Sequence, residues 1–587
     1  MAELRNPNAS TPGSGGGDMR SMLVFTLMAM IALLAFQYFK PPTPATPPAP
    51  AANSASSTGN SSATSASPTP APAATPEVAA ARETTTVVEN DLYRITFTNR
   101  GAQVKSWILK RYKDSAGHPL DLVNQAAAAK FGYPLSLYTY DSALTAELNG
   151  ALFQPSVTGI VAAPTGVIFK YVKGPLQVTK TYLFNSSYVI DTQVSVTRAG
   201  EPIRALVAWP SGLGDQEEAA QFNYTKFAFS SDGKLDTTAP KKINGGATLN
   251  QPFDYAAAID LYFTATFLPA NPADATLVTL RNLIDVPRDT ADPKGPKIPE
   301  PVLGLAMGNT SGPTHTRLFA GPLQFDVLDS IHATASDGTA TGENLRPLIQ
   351  FGWFKVIAEP LFLLLRYVHD HFIANWGWTI IVVTLFFNLL MLPTRFMMMK
   401  SSLKMQRVQP KIEAIKRKYA HLKATDPKRA EMNAETMKLY KDEGINMYGG
   451  CLPLLVQMPL FFAYYRVLLN AIELRQATWG WLPNLAAADP LHILPVLIIA
   501  SMFLVQFITP SPGMDPAQRR MMAFMMPAIF GFSMWGFASG LALYWATGNL
   551  LNLGLQLGIN RSKMGRELQA LAAKRAAKGN KTIQGRR

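Results

Sequence analysis

Hydrophobic residues are unevenly distributed along this chain of 587 residues, and six long apolar runs dominate the pattern. One run lies near the N-terminus, and five follow residue 370. Apolar runs that approach about 20 residues are typical of membrane-spanning helices. We therefore predict six spans, at residues 21–39, 376–392, 452–469, 493–508, 522–535 and 541–559.

The region between the first two runs has a different pattern. Residues 41–82 are rich in Pro, Ala, Ser and Thr, a composition that predicts a disordered linker. Residues 83–345 alternate hydrophobic and polar positions, with turn signals at 99–101 and 185–187. We predict an antiparallel all-β sandwich, with further strands at 166–172, 262–268 and 316–322, and a solvated acidic loop at 215–218.

Two helical segments flank the second run. Residues 351–372 place apolar side chains near one stripe but also carry Lys355, Glu359 and Arg366, which predicts an amphipathic helix in the membrane interface. Residues 396–445 predict a hairpin of two helices, at 399–423 and 427–441. The apolar face of the first helix carries Met405, Val408, Ile412, Ile415 and Tyr419.

The predicted fold class is a polytopic α-helical membrane protein with six spans, five of them forming a core, and a large external all-β sandwich domain. The predicted organisation is an N-terminal segment and anchor at 1–40, the linker at 41–82, the sandwich at 83–345, the interfacial helix at 351–372, the core with its hairpin at 373–560 and a basic tail at 561–587.

The net charge of +14 is concentrated in two places. Residues 394–449 hold thirteen basic and six acidic residues, and residues 560–587 hold nine basic residues and one acidic residue. Basic loops beside spans mark the cytoplasmic side, so both termini are predicted to be cytoplasmic and the β domain external. The basic patches are either topology signals alone or contacts for anionic lipid or RNA.

Polar side chains interrupt the apolar runs at compatible depths. Asn388 and Gln457 each lie five or six residues from the cytoplasmic end of a run, roughly 8–10 Å into the membrane. Thr384 lies one turn from Asn388, and the last run adds Tyr544, Thr547, Asn549 and Asn552. These groups could line one inward-open cavity, or they could serve only as hydrogen bonds between helices.

The sequence gives only weak signals for a transporter, a sugar-binding or sugar-processing protein, or a metal site. Intramembrane ionisable residues are nearly absent, which disfavours a small-molecule transporter. The β domain shows no persuasive pair of carboxylates or His–acid pair, which disfavours a membrane-anchored carbohydrate-binding or sugar-processing protein. The seven His are scattered, so we expect no metal site.

A series of short motifs carries a family resemblance. FGWF, NWG, SSLKMQRVQPKI, GGCLPLLVQMPLF, IELR, DPLHILP, DPAQ and SGLALYW follow in this order within 351–560. NDLYRITFTNRGAQVKSW extends the likeness into the β domain. The chain thus resembles a YidC-type membrane protein insertase of the Gram-negative branch of the YidC/Oxa/Alb family.

The resemblance implies an inner-membrane insertase and chaperone that moves hydrophobic segments of nascent proteins into the membrane, alone or with the Sec translocon. It implies no enzymatic activity, cofactor, metal or DNA partner. The implied partners are nascent membrane proteins, the ribosome, the Sec translocon and anionic lipids. The client groove then comprises Thr384, Asn388, Gln457, Tyr544, Trp545 and Asn549. The cytoplasmic docking residues are Lys404, Arg407, Lys411, Lys416, Arg417, Lys574 and Arg575.

The sequence departs from the family pattern at one groove position. Family members commonly carry an arginine there, and the motif alignment without gaps places Asn388 at that position. Arg395 lies beyond Pro393, which we interpret as the end of the apolar run. We hypothesise that hydration and hydrogen bonding sustain the groove, with Arg466 supplying remote positive potential.

Replacing Asn388 by Leu is expected to impair insertion, whereas Asn388→Arg is expected to be tolerated. Leucine removes the polar contact, and arginine restores the side chain common in the family. The measurement is the inserted fraction of a single-span client protein. Normal insertion by Asn388→Leu would contradict the polar-groove hypothesis.

Overall fold

The computed structural model describes residues 77–288, 295–335, 338–419, 426, 428–444, 452–509, 516–563, 565–567 and 570. The chain divides into two compact units. The described part of the β unit covers residues up to Gln350 together with Asn470–Ile472, and the helical unit contains the described residues from Phe351 to Leu469 and from Glu473 onward. The predicted anchor and nearly all of the predicted linker lie outside the described residues.

Short extended segments with alternating burial build the β unit. Its strands are β1 Thr85–Glu89, β2 Tyr93–Thr98, β3 Gln103–Lys113, β4 Pro119–Asp121, β5 Ser136–Tyr138, β6 Gln154–Pro155, β7 Gly159–Ala162, β8 Thr165–Lys173, β9 Leu176–Phe184, β10 Val189–Arg198, β11 Glu201–Pro202, β12 Leu206–Trp209, β13 Lys226–Ser231, β14 Lys234–Thr238, β15 Thr248–Asn250, β16 Tyr255–Ile259, β17 Phe263–Pro269, β18 Ala275–Pro287, β19 Lys297–Asn309 and β20 Thr314–Pro322.

Helices are few in the β unit and dominate the helical unit. Those of the β unit are α1 Gln125–Phe131, α2 Ser142–Gly150 and α3 Phe325–Asp329. Those that follow are α4 Lys355–His371, α5 Trp376–Leu390, α6 Leu392–Lys418, α7 Arg429–Asp442, α8 Leu452–Asn470, α9 Ile493–Ile508, α10 Pro516–Ser533 and α11 Ser539–Arg561.

The strands form three sheets, which confirms the predicted β-rich domain. The largest has ten strands, β14-β13-β16-β17-β20-β10-β9-β8-β6 with β11 beside β10. The other two have five strands each, in the orders β4-β3-β2-β1-β7 and β15-β18-β19-β12-β5. Apart from the parallel pair of β1 and β7, the pairings are antiparallel. The predicted turns at 99–101 and 185–187 join β2 to β3 and β9 to β10, as expected.

Aromatic rings fill the space between the sheets. Phe97 of β2 lies 5.8 Å from Phe169 and 5.2 Å from Tyr182, both of the ten-stranded sheet, between ring centroids. Trp107 of β3 lies 5.6 Å from Trp209 of β12. All five rings are fully buried. Because each such ring removes a large apolar area from water, these contacts hold the three sheets in a common core.

A lysine is buried in this core. Lys180 of β9 is fully buried, and its ammonium group donates hydrogen bonds to the carbonyl oxygens of Gly101 (2.7 Å), Ala102 (3.3 Å) and Leu135 (2.8 Å). All three acceptor residues have positive φ angles, of 65°, 47° and 63°. Burial lowers the pKa of Lys180 to about 7. Bends in two separate loops direct these three carbonyl groups inward. The Lys180 side chain therefore supplies a hydrogen-bond donor to all three.

The acidic segment at 215–218 differs from the prediction of a solvated loop. Asp215 and Gln216 are buried, and Gln216 donates a hydrogen bond of 2.7 Å to the hydroxyl of Thr225. Burial raises the pKa of the Asp260 carboxyl well above its ordinary value, and the neighbouring Asp215 carboxyl adds to this rise. Charged residue types predict exposure only on average, and here hydrogen bonds within the fold replace those to water.

In the helical unit, the described helices include none whose length and apolarity together suffice for crossing a membrane. The prediction of six spans is therefore not confirmed. The apolar runs after residue 370 do form helices, α5 and α8 to α11, at nearly the predicted positions.

Residues of the family motifs lie at the ends of these helices, where they cap them or allow close packing. Asn375 of NWG caps α5 by accepting a hydrogen bond from the Trp378 amide, at 3.2 Å. A side chain at Gly377 would collide with the ring of Trp479, since an added Cβ would lie 2.2 Å from it. Asp489 of DPLH accepts hydrogen bonds from the backbone amides of Leu491 (3.0 Å) and Leu494 (2.7 Å), at the start of α9. These residue types therefore have local structural reasons for their positions.

The predicted helical hairpin is present as α6 and α7. Met405, Val408 and Ile412 of α6 pack against Leu439 and Tyr440 of α7. The apolar face that the sequence predicts on the first helix is thus covered by the second. The opposite face of α6 remains charged and exposed.

Lys180→Met is expected to abolish a pH dependence of the β unit's stability. The native pKa of about 7 lies below the ordinary lysine value of 10.5, so between these values the unfolded chain binds the additional proton. The free energy of unfolding should therefore rise with pH in this window, by about 2 kcal/mol from pH 7 to pH 9. Below about pH 7 both states are protonated, and this contribution stays constant.

The measurement is pulse proteolysis of the full chain in urea at the two pH values. Lys173→Met, at an exposed lysine on β8 of the same sheet, is the matched control and should retain the wild-type difference. An unchanged pH difference in Lys180→Met would contradict the assignment.

Candidate functional site

Two of the predicted groove residues lie one turn apart on α5, and both are buried. The Thr384 hydroxyl donates a hydrogen bond to the carbonyl of Ile380, at 2.6 Å. The Asn388 Nδ2 donates to the carbonyl of Thr384, at 2.8 Å. Because the amide nitrogen of Asn388 is bonded to its own helix, its Oδ1 is left to accept a hydrogen bond from elsewhere.

Gln457 of α8 and Tyr544 of α11 meet directly. The Gln457 Nε2 donates a hydrogen bond of 3.3 Å to the Tyr544 hydroxyl. The Tyr544 ring stacks on the buried ring of Tyr464, with centroids 4.1 Å apart and planes inclined by 17°. The contact places a polar pair beside an aromatic stack between two helices.

Helix α11 also approaches α5 closely. A Cβ placed on Gly548 would lie 3.9 Å from the Asn388 Nδ2. Tyr544 lies one turn before Gly548 on α11. The structure therefore brings Asn388, Gln457 and Tyr544 to the same side of α11.

Trp545 and Asn549 have different surroundings. The Trp545 ring lies edge-on to Phe461, 4.8 Å away, and 5.4 Å from Phe530 of α10. A cavity of about 170 Å³ between α9, α10 and α11 is lined by Met502, Val505, Gln506, Met526, Pro527, Asn549 and Asn552. Trp545 Nε1 and Asn549 Nδ2 are buried donors with no hydrogen-bond acceptor among the described residues. Unsatisfied donors of this kind are suited to bind a polar group that enters from outside.

Asn388, Gln457 and Tyr544, together with Thr384, form a polar cluster. A further residue, Arg395, which the sequence analysis excluded, belongs to it. The Arg395 guanidinium donates from Nη2 to the Asn388 Oδ1, at 3.1 Å, and from Nη1 to the Asn552 Oδ1. Helix α5 does end before Pro393, at Leu390, but our exclusion of Arg395 from the groove was wrong. Proline is accepted in the first turn of a helix, and α6 begins at Leu392 with Pro393 in that turn. The spacing of seven residues between Asn388 and Arg395, about two helical turns, could have indicated their proximity.

Arg466 occupies another part of the unit. A Cβ added to Gly352 would lie 3.7 Å from its guanidinium carbon. The cation in hydrogen-bond contact with Asn388 is thus Arg395, whereas the sequence hypothesis assigns a remote positive potential to Arg466 and names no cation in contact.

The predicted docking cations on α6 are all exposed. Lys404 donates to the Gly444 carbonyl at 3.2 Å, Lys411 pairs with Glu443 at 2.5 Å, and Arg407 pairs with Glu567 at 2.5 Å.

Of the four remaining predicted docking residues, the structure describes two. Lys416 and Arg417 have no hydrogen-bond or ion-pair partner within the described part of the chain. Lys574 and Arg575 lie outside the described residues.

The polar cluster combines amides, hydroxyl groups and one guanidinium group. Such groups bind through hydrogen bonds and charge, and they can replace part of the hydration shell of a polar segment that enters an apolar environment. The arrangement is therefore suited to binding and transfer of a partly polar chain.

Comparison with known proteins gives consistent matches over both units. The family model described as 60Kd inner membrane protein matches residues 367–567, and that of the YidC periplasmic domain matches residues 85–364. The membrane protein insertase YidC of Syntrophus aciditrophicus is 30% identical over 571 residues, which cover 93% of this chain and 99% of the relative. The protein of the same name from Geobacter sulfurreducens is 32% identical over 484 residues, covering 80% of this chain and 85% of the relative.

Among solved structures, the similarities are weaker. A crystal structure described as an active YidC insertase with its first transmembrane domain resolved is 18% identical, covers 82% of this chain and 94% of that chain, and gives a TM-score of 0.34.

Proposed function

The chain belongs to the YidC family of membrane protein insertases, and we propose that it transfers client segments through the polar cluster between α5, α8 and α11. The function of the family is membrane protein insertion, at the inner membrane, with a periplasmic domain. A small-molecule transporter or a membrane-anchored carbohydrate-binding protein is not favoured, because the curated relatives above are named as insertases.

The hydrogen bond between Gln457 and Tyr544, beside Asn388, is the observation that supports this proposal. An apolar environment penalises unpaired polar groups, so polar side chains drawn from three helices to one place favour a binding role there. A client segment with a polar end would exchange hydrogen bonds to water for hydrogen bonds to this cluster. This exchange would lower the free-energy barrier for moving the polar end of the client through the apolar environment.

The orientation follows from charge. We place the hairpin of α6 and α7 and both termini in the cytoplasm, the β unit in the periplasm, and α5 and α8 to α11 in the membrane. Helix α4 would lie in the interface, since Trp353 just before it and Val356 within it are highly exposed while Leu361 and Leu365 are buried. The concentration of basic residues on α6 supports this orientation.

Ribosome contact is assigned to the exposed face of α6. Lys416 and Arg417 carry charges that no described side chain neutralises. Anionic RNA and lipid headgroups are the partners that such a surface attracts. The basic tail would add to the same surface, and the Sec translocon is a further partner that the family membership suggests.

Photocrosslinkers placed at Thr384, Asn388 and Gln457 should label a ribosome-bound client during insertion. These positions lie on α5 and α8, the helices on two sides of the proposed path. Phe386 is the matched control, because it lies two residues from Asn388 at similar depth, and its side chain is 54% exposed on another face of α5. Equal labelling from Phe386 and Asn388 would count against a defined groove.

Lys416→Glu combined with Arg417→Glu should weaken cosedimentation with translating ribosomes at least about tenfold at low salt, because attraction becomes repulsion. Raising the salt concentration should weaken the wild-type interaction in the same direction. Lys355→Glu, at an exposed position on α4, is the control. Unaltered binding by the double variant would remove α6 from the ribosome contact.

A further inference from the structure

Two carboxylates of the β unit converge on one hydroxyl group. The Ser230 Oγ lies 2.9 Å from the Asp254 Oδ2 and 2.8 Å from the Glu343 Oε2. Ser230 is fully buried, and both carboxylate residues are half-buried. Oxygen atoms from three segments of the chain, two of them from acidic side chains, therefore face one another in a place that is largely shielded from water.

The single proton of Ser230 cannot serve both contacts. A hydroxyl group has one O–H, so it can donate to only one of the two carboxylates. The other short distance then joins two oxygens with no proton between them, which is repulsive unless a positive charge lies beside them. Within the described part of the chain, no basic side chain forms an ion pair with Asp254 or Glu343. The balancing positive charge is therefore a bound cation or an added proton.

The Tyr255 side chain is an independent indication of a ligand. It is fully buried, and its hydroxyl has no hydrogen-bond partner among the described residues. Burial raises the pKa of this phenol, and the Glu343 and Asp254 carboxylates add to the rise, which shows that the hydroxyl lies near both. Buried hydroxyl groups are rarely left unpaired. An ion with its bound water would supply the partner that Tyr255 lacks.

We propose that this group of oxygens, here called the oxygen cluster, is a calcium site in the β unit. Its protein ligands are the side-chain oxygens of Ser230, Asp254, Tyr255 and Glu343. Calcium takes about six to eight oxygen ligands from carboxylates, neutral oxygens and water, in flexible geometry. Water molecules would complete the shell on the partly exposed side of the two carboxylates. The site is separate from the polar cluster and goes beyond the proposed function.

The ligand types select among metals. The oxygen cluster contains no His and no Cys, which disfavours zinc and copper. Magnesium requires nearly ideal octahedral geometry and releases its water reluctantly, whereas calcium accepts an irregular set of ligands. No three His, Cys, Asp or Glu side chains converge at one place within the described ranges, so hydroxyl groups and water must supply the remaining ligands.

The local structure holds the ligands in place. Ser230 of β13 and Tyr255 of β16 are directly paired in register, so their side chains lie on the same face of the sheet. The Gly233 amide donates to the Asp254 Oδ2 at 2.9 Å. The Glu343 carbonyl accepts a hydrogen bond of 2.8 Å from the Ala333 amide. An ion in the oxygen cluster would therefore connect the segment that carries Glu343 to β13 and β16.

The test uses the full chain in a neutral detergent after removal of bound ions with EDTA. Tb³⁺ is the probe, because it replaces Ca²⁺ in oxygen sites and an aromatic ring next to the ion excites its luminescence. Ca²⁺ should displace Tb³⁺ with a Kd for Ca²⁺ of about 0.1–1 mM, the range of extracellular calcium modules. Mg²⁺ should displace it at least about tenfold less well.

Glu343→Gln should weaken Ca²⁺ binding at least about tenfold, because it removes one of two ligand charges. The new amide can donate to the Ser230 Oγ, so the variant is expected to fold. Asp254→Asn carries the same expectation and decides the question if Glu343→Gln fails to fold. Asp236→Asn, at an exposed acid on β14, is the matched control and should bind Ca²⁺ as the wild type does.

The stability of the β unit gives a second readout. Ca²⁺ should raise the urea midpoint of the wild type in pulse proteolysis and leave that of Glu343→Gln unchanged, because a ligand stabilises only the state that binds it. Two outcomes would overturn the proposal. One is Tb³⁺ luminescence that Ca²⁺ does not displace in the wild type, which would assign the balancing charge to a proton. The other is Ca²⁺ binding that neither variant weakens. Neither outcome bears on client crosslinking from Asn388, so the proposed function is tested separately.

Discussion

The hydrogen bonds from the Arg395 guanidinium to Asn388 and Asn552 are the interaction on which the polar cluster depends. They join α5, the first turn of α6 and α11. Polar groups in an apolar environment are costly unless they are paired, so these three elements are held where their polar groups meet. The close approach of Gly548 to Asn388 has the same origin, because the two helices must lie near each other for Asn552 and Asn388 to share one guanidinium.

In the β unit, buried polar groups are also paired, but the shared partner is a lysine side chain. The Lys180 ammonium donates to three carbonyl groups in the core, and the Ala102 carbonyl also accepts a hydrogen bond of 3.2 Å from the Tyr182 hydroxyl. Gly101 is required at one of these positions, since its φ is positive and an added Cβ would lie 2.5 Å from the Asn149 carbonyl oxygen. In both units a basic side chain, fully buried at Lys180 and partly buried at Arg395, bonds to neutral oxygens of separate segments.

Several features could be predicted from local pattern because they depend on neighbours in sequence. Alternation of apolar and polar residues predicts β2, β3, β9 and β10 with their turns. Helical spacing predicts the packed face of α6. The sequence analysis names Gln457 and Tyr544 as groups that could meet, in a cavity or as a hydrogen bond between helices, and they are hydrogen-bonded. Asp215 could not be assigned in this way, because its burial is decided by the tertiary fold, which places it beside Asp260, 45 positions further along the chain.

The sequence by itself determined the family, the order of the segments, the distribution of charge and most of the secondary structure, since these depend on residue type and spacing. Only the tertiary structure decided which cation faces Asn388. Pro393 can end one helix or begin the next, and local pattern does not distinguish these cases. The choice is made by contacts across α5, α6 and α11, where Asn552, more than 150 positions from Arg395, supplies the second acceptor.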